Sequence, residues 1–426
     1  MLETNRKILV ISTQRWPIPA RISSSLQVAG FSVGAISPNR SFVHHTQAVQ
    51  RHYSFRSWAP RASILSAIDD WNPDFLVCTD DSAVKVLHTI HAGAIGATGS
   101  GAKRLVDLIE RSLGAPHSFE FSEKKSALVQ LAQSLGVRCP ATTILSRREP
   151  ARDLQFANFP TVVKGDGSWG GKSVRLVDKL ADARRAVAEF TLRPSLPGRV
   201  RAMLARTLSE SMIGKLSSDQ QCVCLQEYIS GNPANRAVLC WEGKVVDGVS
   251  VRVHDSVYAF GPASLVEIVD IPEMTEAANI IARSLHLSGF IGFDFVIDSE
   301  KRAWFLEMNP RVTPTSYLTA SGAPDLSRAL YSMISGIDHA PQRANLTGDI
   351  LALFPQEIQR SGKSDHIASK YDDVPWAEPK LVLALMQMAF KSQRGVRRRN
   401  ELNALSALLD RERRVDPHLS SLKQQP

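Results

Sequence analysis

Long apolar runs, paired cysteines and internal repeats are what this 426-residue chain lacks. No stretch approaches the roughly 18 apolar residues of a membrane span. The opening "MLETNRKILV" has no apolar core ahead of a cleavage site, which argues against secretion. Of only five cysteines, Cys222 and Cys224 lie two apart in an apolar run, and no spacing suggests zinc. Reduced, buried thiols in a cytosol follow from that usage. No Ser/His/Asp or Cys/His arrangement stands out, so covalent nucleophilic catalysis has no visible machinery.

What is present is ordinary soluble composition, 43% hydrophobic and 22% charged, with a net charge of +9. The length suggests about three units at ~150 residues each. From Lys391 onward there are nine Lys/Arg against four Asp/Glu, so the tail holds over half of the excess charge. Its "KSQRGVRRR" lacks aromatic interleaving and any nucleic-acid motif, and reads as a solvated helix end. That argues against nucleic acid as a partner.

Strands alternate with helices at the start. "RKILVIS" and "DFLVCTD" read as buried parallel strands, with "SSSLQVAGFSVGAIS" as helix and strand between them. The expectation is an α/β domain over 1–117, with a Rossmann-like parallel sheet. Small molecules bind beyond the carboxyl ends of such strands, which makes Ser12, Thr13, Asp80 and Asp81 candidates. Asp80 and Asp81 serve equally as N-caps of the next helix.

"PTVVKGDGSWGGKSVRLV" (160–177) imitates a Walker A loop, but position 166 is Asp rather than Gly, and "SVRLV" alternates like a strand. A hairpin with a glycine tip is expected, with Lys164 ending its first strand and Lys172 starting its second. Such a tip suits phosphates, because glycine lets backbone N–H groups approach an anion and lysines supply charge. A plain surface turn fits the same residues.

"GFDFVIDSEKRAWFLEMNPRV" (292–312) carries acids inside apolar strands. Alternation puts Trp304, Leu306 and Met308 on one face, and Phe305, Glu307, Asn309 and Arg311 on the other. With Glu300-Lys301 as a two-residue turn, Asp294 faces Glu307 directly. Like charges so placed repel. A raised pKa would offset that repulsion, as would a hard cation such as Mg²⁺ held by Asp294, Glu307 and the amide oxygen of Asn309. An amphipathic hairpin whose acids face water and pair with lysines fits the same residues.

Taken in order over roughly 120–335, these pieces resemble the ATP-grasp superfamily, in particular its carboxylate–amine ligases and the ATP-binding domain of carbamoyl-phosphate synthase large chains. "EKKSALVQLAQSLGVRCP" is similar to the family's opening helix, which implies a phosphate contact for Lys125. The resemblance implies a second phosphate lysine at Lys164, and a phosphate loop at Gly167, Gly170 and Gly171. "CLQEYISG" resembles the hinge that grips adenine through backbone at Gln226, Glu227, Tyr228 and Ile229. The last hairpin implies Asp294, Glu307 and Asn309 as metal ligands, with Arg311 and Lys164 acting on the transferring phosphoryl group. "GNPANR" offers Asn232 and Asn235 where many relatives place an acid for ribose. "RVTPTS" departs from the bicarbonate segment of biotin-carboxylase-like members.

The implied fold is α/β, becoming α+β in the ATP-binding part. An ATP-grasp domain is expected over 118–340, with its small lobe at about 155–230 and metal strands at 290–311. A C-terminal extension with a basic helical tail takes 341–426, its amphipathic helix packing on the main body. The implied activity is an ATP- and Mg²⁺- (or Mn²⁺-) dependent ligase that turns a small carboxylate into an acyl phosphate for an amine. A kinase, or a nucleotide-binding regulator with a basic tail, stays as the alternative. Arg252 and His254 in "VSVRVHDSVYAFGPAS" are candidates for the substrate carboxylate, as is Arg311. The expected partners are small molecules in the cytoplasm, without a membrane, and a homodimer stays open.

Overall fold

A computed structural model describes residues 6–145, 154, 158–165, 174–191, 223–258, 261–318, 325–337, 350–361, 364, 366 and 373–392, apart from the side chains of Glu123, Lys125, Lys391 and Ser392. The glycine tip with Gly167, Gly170, Gly171 and Lys172, the segment after Thr191 up to 221, and the basic tail lie outside the described residues.

The apolar run Lys7–Ile11 forms β1, buried from Ile8 onward as a central parallel strand must be. It is followed by α1 (Ile18–Val28), β2 (Ser32–Ser37), β3 (Val49–Ser54), α2 (Pro60–Trp71), β4 (Phe75–Cys78), α3 (Asp81–Ala94) and α4 (Ser100–Leu113). The four strands are parallel in the order β3-β2-β1-β4. Strand order therefore reverses between β1 and β4, which opens a crevice beyond their carboxyl ends. Ser12 and Thr13 follow β1 there, and Asp80 and Asp81 follow β4.

Two short helices, α5 (Phe119–Glu123) and α6 (Lys125–Ser134), lead into a second, antiparallel sheet. Its strands β5 (Thr142–Ile144), β6 (Thr161–Gly165), β7 (Val174–Val177) and β8 (Val223–Glu227) run in the order β5-β8-β6-β7. Helix α7 (Leu180–Thr191) covers one face, packing Ala183, Val187 and Phe190 with Val163 and Leu225.

The third sheet is antiparallel and six-stranded. It contains β9 (Gly231–Trp241), β10 (Lys244–Ser256), β11 (Ala263–Ile268), β12 (Gly289–Asp298), β13 (Ala303–Asn309) and β14 (Ile350–Ala352), in the order β13-β12-β9-β10-β11-β14. Period-two alternation divides its strands between two cores. Val238, Cys240, Phe293 and Phe295 pack with Met274, Ile281 and Leu285 of α8 (Pro272–Leu285). Ala237, Leu239, Val251 and Phe290 face the other way. They share one core with the N-terminal sheet, α9 (Leu326–Ser335), α10 (Gln356–Arg360) and α11 (Pro379–Ser392).

The β12–β13 hairpin corrects the expected turn. Asp298 accepts from the backbone N–H groups of Glu300 and Arg302, both at 2.9 Å, and Lys301 takes positive φ. The turn is therefore longer by one residue than Glu300-Lys301, and pairs Ile297 with Ala303 and Phe295 with Phe305. A bulge at Leu306 then restores the other register, so Asp294 does face Glu307. The bulge also overturns the expected faces of β13. Phe305 and Met308 both point into the core with Phe293 and Phe295, while Glu307 and Asn309 face away from it.

Candidate active site

The outward face of the hairpin is built by three antiparallel strands. Asp294 pairs with Glu307 on one side and with Asn235 of β9 on the other. Its Oδ1 accepts from Asn235 Nδ2 at 2.6 Å, and its Oδ2 accepts from Asn309 Nδ2 at 2.8 Å. Thr315 in turn donates to Asn235 Oδ1 at 2.6 Å. Asp294 is thus fixed by two amides, one of them locked by a hydroxyl. Asn309 Oδ1 accepts from Arg311 Nη2 at 3.3 Å, so the side-chain amide's donor end, rather than its oxygen, faces Asp294.

This donor set suits a hard cation. Two opposed carboxylates supply the charge, and oxygen is the ligand atom a hard cation takes. Asn309 would contribute oxygen only after turning its amide. Among the described residues no group of three or more His, Cys, Asp or Glu could hold a metal ion. A cation here would take the rest of its shell from phosphate oxygens and water, as Mg²⁺ does.

Arg311 leaves the hairpin and meets the N-terminal sheet. Its Nε donates to Asp81 Oδ1 at 3.1 Å, and Val312 N–H bonds the Cys78 carbonyl at 3.0 Å. The Arg311 guanidinium lies 5.6 Å from the Trp16 ring. Of the two adjacent acids, Asp80 is committed to structure. It caps α3 through Ala83 N–H and accepts from Thr13 N–H and Oγ1, each at 2.7 Å, and from Ser12 Oγ at 3.2 Å. Burial raises its pKa, and the bonds from Thr13 oppose that. Asp81, by contrast, is partly exposed and is bonded to Arg311.

The second sheet carries the other candidates. Lys164 is the penultimate residue of β6, in register with Cys224 and Val174, on the face opposite buried Val163. The Glu227 N–H is held by the Ala141 carbonyl at 2.8 Å, and the Gln226 carbonyl accepts from Thr161 Oγ1 at 2.9 Å. Tyr228 and Ile229 lie just past the end of β8, where the chain crosses to the third sheet. Lys125 begins α6, with its side chain outside the described residues.

Residues 122–315 match the family model of the ATP-grasp domain. This part of the chain is an ATP-grasp domain. Solved structures agree on the fold. A biotin carboxylase from Campylobacter jejuni, 16% identical, aligns over 79% of this chain and 72% of its own at a TM-score of 0.56. A carboxyaminoimidazole ribonucleotide synthase from Aspergillus clavatus, 13% identical, aligns over 81% of each chain at 0.56. An L-amino acid ligase from Bacillus licheniformis, 14% identical, aligns over 80% of this chain and 75% of its own at 0.52. No curated protein sequence matches the chain.

Within the ATP-grasp domain, Arg252 and His254 both turn to Glu267 on β11. Arg252 Nη2 and His254 Nε2 reach Glu267 Oε2 at 2.6 and 2.7 Å. Burial alone would raise the Glu267 pKa, and these two partners hold it below the ordinary value. The pair that looked available for a substrate carboxylate already has one. Asn235 supports Asp294 instead of standing ready for ribose. Sequence reasoning missed Trp16 and Thr315, which carry no spacing signal, and the bond from Arg311 to Asp81.

Proposed function

We propose that the protein is an ATP-dependent ligase that activates a small carboxylate as an acyl phosphate for attack by an amine. The observation that carries this reading is the Asp294–Glu307 pair, joined through Asn309 to Arg311 at the mouth of the N-terminal crevice. Asp294, Glu307 and a turned Asn309 would hold Mg²⁺ or Mn²⁺, which when bound would draw charge from the phosphate oxygens.

The chain's own residues supply the rest. Lys164, Lys125 and the amides near Gly167, Gly170 and Gly171 are placed in sequence to neutralise and position phosphates. The backbone from Gln226 to Ile229 would take the base, chiefly at Tyr228 and Ile229, because the strand already engages Gln226 and Glu227. Arg311 offers N–H donors to the carboxylate as one of its oxygens takes the terminal phosphoryl group and ADP leaves. The amine then adds to the acyl carbon, phosphate departs, and the amine's surplus proton passes to solvent. Phosphoryl transfer between anions is mostly a matter of positioning and charge, so no nucleophilic side chain is needed.

The test is a panel of small acids with MgATP and hydroxylamine. Acid-dependent ADP release with hydroxamate formation is expected. Glu307→Gln should lower that release by ~100-fold or more while leaving the melting temperature near wild type. A fully active variant would sink the metal assignment, and no ADP or hydroxamate from a wide panel would sink the ligase reading.

A further inference from the structure

Asp81 and Arg311 set opposite charges side by side at the carboxyl ends of β1 and β4, one from each part of the molecule. Their side chains are 27% and 12% exposed, so the pair is shielded but reachable. Neither partner is saturated. Arg311 uses Nε on Asp81, Nη1 on the Val312 carbonyl and Nη2 on Asn309, which leaves two of its five N–H donors. A carboxylate has about four acceptor sites, and Arg311 takes one of those on Asp81. Beneath the guanidinium, Trp16 has a buried indole N–H with no acceptor among the described residues. An orphaned buried donor beside a reachable ion pair points to a ligand oxygen.

From this we infer that the carboxylate substrate is an α-amino acid. Its carboxylate is held by Arg311 and its α-ammonium by Asp81, against the Trp16 indole. The inference rests on the ligase reading and narrows it. The two charges of an α-amino acid are a single carbon apart, so they can straddle a pair whose atoms are 3.1 Å apart. A plain carboxylate would satisfy Arg311 and leave Asp81 facing an uncharged carbon. Asn309 links Arg311 to Asp294, so a carboxylate on Arg311 also lies toward the carboxylate pair, where the phosphoryl group must arrive. Asp80 plays no part, because its oxygens are committed to Ser12, Thr13 and Ala83.

The experiment compares the twenty amino acids with their des-amino counterparts, using full-length protein, MgATP and hydroxylamine, with ADP release as the readout. At least one amino acid should exceed its des-amino analogue in kcat/KM by ~100-fold. Asp81→Asn should raise KM for that amino acid by ~10-fold with little change in KM for ATP, and Asp81→Glu should recover part of the loss. Trp16→Phe, which keeps the ring and removes the N–H, should raise the same KM severalfold. ADP release with des-amino acids at equal efficiency would overturn the inference and leave the ligase reading standing. An unchanged KM in Asp81→Asn would do the same. No release with any acid in either set would remove both.

Discussion

Single residues in this chain take their roles from partners far away in sequence. Arg21 of α1 and Asp373, both 3% exposed, form an ion pair at 2.6 Å, with the Tyr317 ring 5.2 Å from the guanidinium. Burial pushes the Asp373 carboxyl up to about 6 from its ordinary 3.8, even against the pull of Arg21. A carboxyl with a raised folded pKa binds its proton more tightly in the folded state. Its contribution therefore favours folding below about pH 4 and is withdrawn as pH rises through 6. Arg21→Met would strand a buried carboxylate and should cost ~3–5 kcal/mol near pH 8, with a smaller loss near pH 5, where Asp373 can stay protonated. Urea denaturation at the two pH values measures the difference, and an equal loss at both would contradict the assignment.

At this scale sequence reading went furthest where chemistry is local. Asp294, Glu307, Asn309 and Arg311 sit within one hairpin, and their grouping follows from alternation together with the pairing of its two strands. The opposition of the two acids was reached through a turn that is one residue too short, and the bulge at Leu306 cancels that error. Asp81 and Arg311, 230 positions apart, leave no local pattern to read.

Among the elements, apolar strands were legible, even β4 and β13 at the edges of their sheets, and the solvated edge strand β3 was not. β1, β2 and β4 announce themselves as apolar runs, whereas β3 reads "VQRHYS" and is mostly exposed. An edge strand with one solvated side needs no apolar run, so composition cannot separate it from a loop. Where strands meet the crossing between sheets, space is short. A Cβ on Gly231, the first residue of β9, would lie 2.2 Å from the Ile297 carbonyl oxygen. Gly231→Ala should therefore force β9 away from β12 and cost ~1–3 kcal/mol, read as a lower denaturation midpoint. Because Gly231 closely follows Tyr228 and Ile229, weaker ATP binding should accompany it. A variant as stable as wild type would mean the backbone moves aside there at little cost.

Over the whole molecule, one core joins three stretches of chain. Leu26 and Val33 from the N-terminal part, Leu239 and Phe290 from the ATP-grasp sheet, and Leu381, Leu385 and Met386 from α11 belong to the same cluster. Leu385 is fully buried in it. Leu385→Ala should cost ~2–5 kcal/mol of global stability, although it lies beyond the matched residues 122–315. Calorimetry should show one cooperative transition that moves as a unit. A separate low-temperature step confined to the C-terminal part would show that α11 is only appended. The helix was foreseen from its amphipathic pattern, but the extent of the shared core was not, because periodicity reveals a buried face without saying what covers it.

That shared core bears on how such a chain can change over evolutionary time. The stretch that homology picks out is a unit of descent, but it is not a detachable part. Cut free at residues 122 and 315, it would carry away a sheet whose apolar face had lost both its neighbours. A new partner domain could be grafted on only by supplying a matching surface. Insertions and exchanges should therefore be tolerated on the outer edges of the sheets and resisted across this seam.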